Sequence, residues 1–368
     1  MLVEGPRLSV VACRGPSTNI AGHQMKKRNP NGAFSAPKSL HVALTDESDD
    51  DGLGGLINET NEGWYGAKHP KPTAREIAFV NSIKAERCPY CGSALIAKDG
   101  HRKDGAAKLR CRCCGKGFNP LTGTVLDSRK IPISEWVEYL VHLSQFLSTT
   151  VSSIDNHNAS TTGVYWLRKA FAALESYQES IVMGDVFWLD ETYLSVKPSE
   201  ARKKEDGTLP KGLSKNKLCI VTATDGENAV VIWKGYGKPS RKRIWEAMEG
   251  HIKPGSKMID DGEKSHAVLV ERLGLMRESH PTPETKGLPD SRNPLKKVND
   301  LHALFKLFMR SHGGYSRDDA QCWCDLFAFA VNHHGDRRSF VKDMILLAIS
   351  TRKVMRYRET MKKKPKNG

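Results

Sequence analysis

The sequence predicts an α/β protein whose strands follow smaller N-terminal modules. Four short segments after residue 184 are rich in β-branched and aromatic residues, as strands are: VFWLDETYL, KLCIVTATDG, AVVIWKGYG and KMIDDG. Helical segments lie between and after them, an order of elements that indicates an α/β or α+β domain. A cysteine-bearing segment and a pair of helices precede them.

The composition points to a folded protein with a polyanionic partner. Hydrophobic residues make up 39% of the 368 residues, enough for a real core. The formal net charge is +15, and lysine and arginine bind phosphates with release of counterions. We therefore expect a nucleic acid as partner, although basic charge can also serve solubility alone.

The chain shows no membrane or secretion signal. No apolar run approaches the ~20 residues that a membrane span needs, and the apolar part of the N-terminus is too short and too mixed to predict a signal peptide. We expect a cytoplasmic protein without a membrane partner, in which the nine cysteines stay reduced.

Changes of pattern along the chain predict five regions. The first is rich in Gly, Asn, Ser and Pro, carries an acidic run, and cannot bury enough apolar surface to order itself. The predicted regions are a disordered tail (1–70), a cysteine-bearing module (71–130), a helical region (131–180), the strand-bearing domain (184–340) and a basic C-terminal tail (341–368).

Two cysteine pairs predict a zinc ribbon. Cys88, Cys91, Cys111 and Cys114 follow the pattern C-x2-C-x19-C-x2-C, which suits tetrahedral Zn²⁺. Glycines after each pair permit tight turns, and four thiolates leave no open position, so the zinc would be structural. Cys113 lies inside the second pair and is expected to be a bystander. Basic residues between the pairs suit phosphate contacts: Arg102, Lys103 and Arg110.

The helical region predicts a helix-turn-helix. Trp136, Leu140, Leu143 and Leu147 recur at three- and four-residue steps and form one apolar helix face. A polar turn and a second helix from about Thr161 follow. Hydroxyl and basic side chains on that helix suit DNA contacts, namely Thr161, Thr162, Arg168 and Lys169. The alternative is a plain helical bundle that links two domains.

Two aspartates on strands form a candidate metal site. Asp190 lies in an otherwise apolar strand, and Asp261 ends another. Charges on core strands are costly unless they are paired or bind a metal. Their oxygens could hold divalent cations for phosphodiester cleavage. The residues alone leave open that these aspartates are merely salt-bridged or lie at strand ends.

Several segments together carry a family resemblance. They are CPYCGS, RCRCCGKGF, TGTV, DETYL, DDGEKSH and VNDLHALFKLFMRSHGGYSRDDAQCWCDLFAF. In this order they resemble the zinc ribbon and catalytic blocks of bacterial insertion-sequence transposases of the ISXO-like type, in the DDE superfamily. The resemblance covers about residues 75–335.

The resemblance implies a ribonuclease-H-like core, a mixed five-stranded sheet with helices. It implies that Asp190 and Asp261 bind catalytic Mg²⁺ or Mn²⁺, with Asp260 as the competing second ligand. Asn299 takes the third position, where most relatives have Glu, and Asp300 competes with it. Lys306, two helical turns after Asn299, would contact DNA near the cut.

The implied function is that of a DNA transposase. It would bind the terminal inverted repeats of an insertion sequence and carry out Mg²⁺-dependent strand cleavage and strand transfer. Double-stranded DNA, as element ends and target, would be the partner, with a homo-oligomer formed on it. Two alternatives remain: a non-enzymatic zinc-ribbon DNA-binding protein, such as a regulator or decayed transposase, and a nuclease of the same fold without strand transfer.

Overall fold

The structure, a computed structural model, describes residues 71–127, 131–313 and 315–361. The predicted disordered tail, residues 1–70, lies outside these residues. Within the described part of the chain, no helix combines the length and the apolar character needed to cross a membrane.

A small antiparallel sheet occupies the cysteine-bearing region. Helix α1 (Ala74–Ser82) comes first, and its N-terminus is capped by Thr73, whose hydroxyl accepts from the Glu76 amide at 3.1 Å. Three strands follow in the order β1-β2-β3. They are β1 (Ile96–His101), β2 (Ala107–Cys111) and β3 (Gly117–Phe118).

Three helices follow this sheet: α2 (Ile133–Ser144), α3 (Thr149–Asp155) and α4 (Ser160–Leu174). The predicted apolar face is confirmed for Trp136, Leu140 and Leu143, which are buried, whereas Leu147 follows the end of α2 and is half-buried. Helices α3 and α4 approach closely at Gly163, where an added Cβ would lie 1.9 Å from the Ser153 hydroxyl oxygen. A residue with a side chain at 163 would therefore separate the two helices.

The large sheet has five strands in the order β6-β5-β4-β7-β8. Its strands are β4 (Val186–Ser195), β5 (Lys217–Thr224), β6 (Ala229–Tyr236), β7 (Lys257–Asp260) and β8 (Met276–Ser279). The first three pair antiparallel, whereas β7 and β8 run parallel to β4. The predicted α/β class and the mixed five-stranded sheet are thus confirmed. The sequence did not indicate β8 as a strand.

Helices cover both faces of this sheet. Because side chains alternate along a strand, Leu218 and Ile220 of β5 join one core, whereas Cys219 and Val221 join the other. The second core includes residues of α5 (Arg241–Met248) and α6 (Ala267–Leu273). The first includes residues of α8 (Lys296–Ser311), α9 (Ala320–Val331) and α10 (Arg337–Ser350). Two one-turn α-helices also lie in the described residues: α7 (Thr282–Thr285) and α11 (Tyr357–Thr360).

The helices before the large sheet share its first core. Phe171 of α4 packs edge-on against Trp323 of α9, with ring centroids 5.1 Å apart. Regions 131–180 and 184–340, expected as separate domains, are therefore joined by one continuous core. The core also takes in α10, where Phe340, Met344 and Ala348 are buried, although the sequence suggested a basic tail from 341.

Candidate functional site

Asp190 lies in β4, and Asp261 directly follows the neighbouring parallel strand β7. Asp190 lies within β4, directly opposite Thr222 of β5. On its other edge β4 pairs with β7, and the last pair is Trp188 with Ile259. Continuing this register by two residues brings Asp190 beside Asp261, the residue that follows β7.

The electrostatics agree with this proximity. Burial raises the pKa of Asp190, and the negative charges of Asp261 and Glu191 raise it further, to about 7. Among the described residues Asp190 has one basic partner within 4 Å, the ring nitrogen Nδ1 of His302 at 3.8 Å. The two aspartates thus form an acidic pair that bound positive charge would stabilise.

Helix α8 lies over the Asp190 side of the sheet. His302 is buried, and its Nε2 lies 2.6 Å from the hydroxyl oxygen of Thr222. Burial lowers the pKa of His302 to about 3, with the Lys306 ammonium as the second cause. Asn299 and Lys306 are exposed, one turn before and one turn after His302. The three side chains therefore share one face of the helix, and His302 brings that face next to Asp190.

Asp300, the competing third residue, has a different environment. Its side chain is exposed and forms an ion pair with Lys296 one turn earlier on α8. On a helix it points about 100° away from Asn299. The geometry therefore favours Asn299 over Asp300 as the residue of α8 beside His302.

A buried charge network lies on the opposite face of the sheet. His266 bridges two carboxylates: Nε2 lies 2.7 Å from Glu191 Oε1, and Nδ1 lies 2.7 Å from Asp260 Oδ2. Arg277 donates to the same Asp260 oxygen at 2.6 Å. Burial disfavours the imidazolium, but hydrogen bonds to Asp260 and Glu191 outweigh it and raise the pKa of His266 to about 10. The network ties β4 to β7 behind the two aspartates.

This network accounts for Asp260, the competing second residue. Burial raises the pKa of Asp260, but hydrogen bonds from His266, Arg277 and Ser279 outweigh burial and lower it to about 2. Ligand atoms of Asp260, Asp261 and His266 also lie within 4.8 Å of one another, as a metal site requires. However, Arg277 already neutralises Asp260, and both ring nitrogens of His266 already pair with carboxylates. Asp260 and His266 are therefore poorly suited to bind a cation.

Sequence reasoning missed the network of Glu191, His266 and Arg277. One signal was available for Glu191, because alternation along β4 places it on the face opposite to Asp190. A buried carboxylate on that face needs a cation. Nothing local identifies His266 as that cation, since it lies 75 residues further along the chain.

The four predicted cysteines form one cluster. Their Sγ atoms lie within 4.8 Å of one another, with Cys88 3.7 Å from Cys114 and Cys91 3.6 Å from Cys111. A tetrahedron with ~2.3 Å zinc–sulfur bonds has edges of about 3.8 Å, close to both distances. The backbone N–H of Cys114 is the main cause that lowers the pKa of Cys111 to about 6. For Cys91, a hydrogen bond from Ser93 lowers the pKa, but burial and the neighbouring thiols outweigh it and raise the pKa to about 12.

Each cysteine pair sits in a tight turn. The amides of Gly92 and Gly115 donate to the carbonyls of Cys88 and Cys111, both at 2.9 Å. Both glycines have positive φ, 73° and 72°, a conformation that glycine adopts readily. The basic side chains between the pairs are exposed. Arg102 and Arg110 pair with aspartates of the same hairpin, Asp104 and Asp99.

The predicted DNA-contacting residues of α4 have mixed environments. Thr161, near its start, is exposed and Thr162 is half-buried. Arg168 is exposed but donates to the carbonyl of Thr360 at 2.6 Å. Lys169 corrects the expectation: its side chain is buried, with Nζ 4.9 Å from the centre of the Tyr165 ring, so it does not face solvent with Arg168.

The comparisons with known proteins give little support to any family. No protein-family model and no curated protein matches the sequence. One similar solved structure is a simian T-cell lymphotropic virus intasome in complex with the PP2A regulatory subunit B56 gamma, at 10% identity over 52% of this chain and 68% of that chain, with a TM-score of 0.25. Another is a pre-cleavage Mos1 transpososome, at 10% identity over 58% and 78%, with a TM-score of 0.23. Similarities this weak do not establish the fold or the activity.

Proposed function

We propose that this protein is a metal-dependent DNA transposase with a ribonuclease-H-like core. Asp190 and Asp261 hold divalent cations, Mg²⁺ or Mn²⁺, with Asn299 as an assisting ligand. The observation that carries this proposal is the acidic pair formed by Asp190 of β4 and Asp261, which follows the parallel strand β7, next to a helix with neutral and basic side chains. The strand order of the mixed sheet and the resemblance of the sequence blocks support it.

The residues present suit divalent cations. Asp190 is half-buried next to another carboxylate, which is unfavourable without a bound positive charge. Carboxylate and amide oxygens are the ligands that Mg²⁺ and Mn²⁺ favour. A bound cation would act as a Lewis acid that stabilises charge on the attacking and leaving oxygens.

The chain's own residues orient the DNA for two successive phosphoryl transfers. In the first, water attacks the phosphodiester at the element's end, and the 3′ oxygen leaves and takes up a proton. In the second, that 3′-hydroxyl attacks a target phosphodiester in line, loses its proton and displaces another 3′ oxygen. Lys306, exposed on α8, is suited to bind a phosphate near the scissile bond.

The N-terminal modules would bind the element's ends. The four-cysteine cluster would hold a structural Zn²⁺ and thereby fix the hairpin that carries Arg102, Lys103 and Arg110. Thr161, Thr162 and Arg168 of α4 would contact DNA once Arg168 leaves the Thr360 carbonyl. Terminal repeats must be paired for transposition, so we propose a homo-oligomer on DNA.

The direct test is a cleavage and joining assay. The full chain is incubated with labelled DNA that carries the flanking genomic ends of its gene, a target plasmid, and Mg²⁺ or Mn²⁺. We expect metal-dependent nicking at the ends and joined products that contain target DNA. Asp190→Ala and Asp261→Ala should abolish both products and still bind the ends.

The alternatives give different results in the same assay. A non-enzymatic DNA-binding protein would shift the labelled ends without nicking them at any metal concentration. A nuclease of the same fold would nick the ends without joined products. Either result would replace the transposase proposal, and normal nicking by either alanine variant would refute the site assignment.

A further inference from the structure

The ring of His302 is held between Thr222 and Asp190. Nε2 lies 2.6 Å from the Thr222 hydroxyl oxygen, and Nδ1 lies 3.8 Å from Oδ2 of Asp190. The imidazole is buried, and it belongs to α8 whereas its two neighbours belong to β5 and β4. Its Nδ1 thus brings a nitrogen of α8 within 4 Å of the Asp190 carboxylate.

A count of hydrogens fixes which nitrogen of His302 carries the proton. The Thr222 hydroxyl donates its single hydrogen to the backbone carbonyl of Asp190 at 2.8 Å, and a carbonyl can only accept. The hydroxyl must therefore accept its second hydrogen bond, which comes from Nε2 of His302. In a ring that carries its proton on Nε2, Nδ1 is an acceptor, and it lies 3.8 Å from Oδ2 of Asp190.

Nδ1 and the Asp190 carboxylate are thus two acceptors that face each other. Their 3.8 Å separation is too long for a hydrogen bond. Two ligand atoms that share one cation, with bonds of about 2.0–2.3 Å, lie roughly 3–4 Å apart. The Thr222 contact completes the pattern, since a metal-binding histidine almost always engages its other ring nitrogen in a hydrogen bond.

We propose that Nδ1 of His302 is a ligand of the same divalent cation that Asp190 binds. This inference rests on the proposed function and adds a nitrogen donor to it. Imidazole suits transition metals, whereas Mg²⁺ prefers oxygen ligands. The site therefore binds Mn²⁺ more tightly than Mg²⁺, and Thr222 is a positioning residue that holds the ring in the correct tautomer.

Pulsed electron paramagnetic resonance of Mn²⁺ bound to the full chain tests this directly. A coordinated imidazole gives ¹⁴N couplings, which change to ¹⁵N couplings when the wild-type protein is labelled selectively at histidine. This readout needs no variant and does not depend on activity. We expect the nitrogen signal in the wild type and in His101→Gln, a control at an exposed histidine of the small sheet.

Variants assign the nitrogen to one histidine. His302→Gln should lose the nitrogen signal and bind Mn²⁺ about tenfold more weakly or worse, with a smaller effect on Mg²⁺. His266→Gln should keep the signal. If the signal disappears in His266→Gln instead, the cation lies in the Asp260 cluster and the inference is overturned.

The same experiment separates failure of this inference from failure of the proposed function. Mn²⁺ that binds in an Asp190-dependent manner without any histidine nitrogen overturns the role of His302 and leaves the acidic pair as a metal site. Mn²⁺ binding that is unchanged in Asp190→Asn, or absent from the wild type, overturns both.

Discussion

Asp260 and Asp261 are adjacent in the chain but differ in burial and in hydrogen-bond partners. The carboxylate of Asp260 is fully buried and accepts hydrogen bonds from His266, Arg277 and Ser279. That of Asp261 is half-buried, accepts one backbone N–H from Glu263 at 3.0 Å, and adds to the negative charge around Asp190. The first is suited to stabilise the fold and the second to bind a cation.

Matched substitutions of these two residues should separate stability from activity. Asp260→Asn removes the charge that balances the buried His266 and the half-buried Arg277, so we expect a loss of about 3 kcal/mol or more in the free energy of unfolding. Asp261→Asn should change that free energy by less than about 1 kcal/mol and abolish metal-dependent cleavage. Urea unfolding and the nicking assay measure the two effects, and the reverse pattern would exchange the roles.

The raised pKa of Asp190 predicts a pH-dependent stability. A carboxyl group with a folded-state pKa near 7 contributes stability that is complete below its unfolded pKa of 3.8 and is lost as pH rises through 7. Asp190→Asn cannot ionise at this position and lacks this loss. The melting temperature of the variant minus that of the wild type should therefore be larger at pH 8 than at pH 4, both measured without divalent cations. The exposed Asp300→Asn is the control and should show no such gain. An equal difference at both pH values would contradict the assigned environment.

The network around His266 predicts a second pH dependence of stability. The pKa of His266 rises from 6.5 to about 10 on folding, so its contribution is complete below pH 6.5 and is lost as pH rises through 10. The stability difference between wild type and His266→Gln should therefore shrink from pH 6 to pH 10. Denaturant unfolding at the two pH values measures it, and a difference that grows with pH would refute a charged ring.

The cysteine cluster predicts that each chain binds one zinc ion and that Cys113 is not one of its ligands. Cys111→Ser should lose the metal, since it removes one of four ligands in a closed site. Cys113→Ser should retain one equivalent, because Cys113 is exposed and outside the cluster. Metal analysis of the purified variants tests this. Zinc loss in both variants, or in neither, would refute the predicted ligand set.

The proposed phosphate contact of Lys306 predicts that its removal weakens the salt dependence of DNA binding. If it binds one phosphate, Lys306→Ala should lower the slope of log K against log salt concentration by about 1. The matched control is Lys342→Ala, an exposed lysine on α10. Fluorescence anisotropy at several salt concentrations measures both slopes. An unchanged slope for Lys306→Ala would remove it from the interface.

Local pattern was sufficient for much of the large sheet. Strands β4 to β7 follow from runs of β-branched and aromatic residues, and the position of Asp190 follows from its place in such a run. Strand β8 was missed because it is short and carries two charged residues in four, as suits a partly exposed edge. The four cysteines were predicted from spacing alone, because each pair makes a local turn.

Features that depend on distant contacts could not be predicted. Which face of α4 is exposed depends on the elements that pack against this helix. Only that packing shows that Lys169 is buried, with its ammonium beside the Tyr165 ring. Nor does the sequence reveal that α10 completes the first core, since its apolar residues at helical spacing precede a basic end. The orientation of His302 between Thr222 and Asp190 likewise depends on strand register.

The central claim is that Asp190 and Asp261 together bind the catalytic cation. Anomalous diffraction from crystals of the full chain soaked in Mn²⁺ locates the ion without reference to activity. We predict a peak between the carboxylates of Asp190 and Asp261, below α8, that is absent from Asp190→Asn crystals. A peak at the Asp260 and His266 cluster, or none near Asp190, would contradict the account.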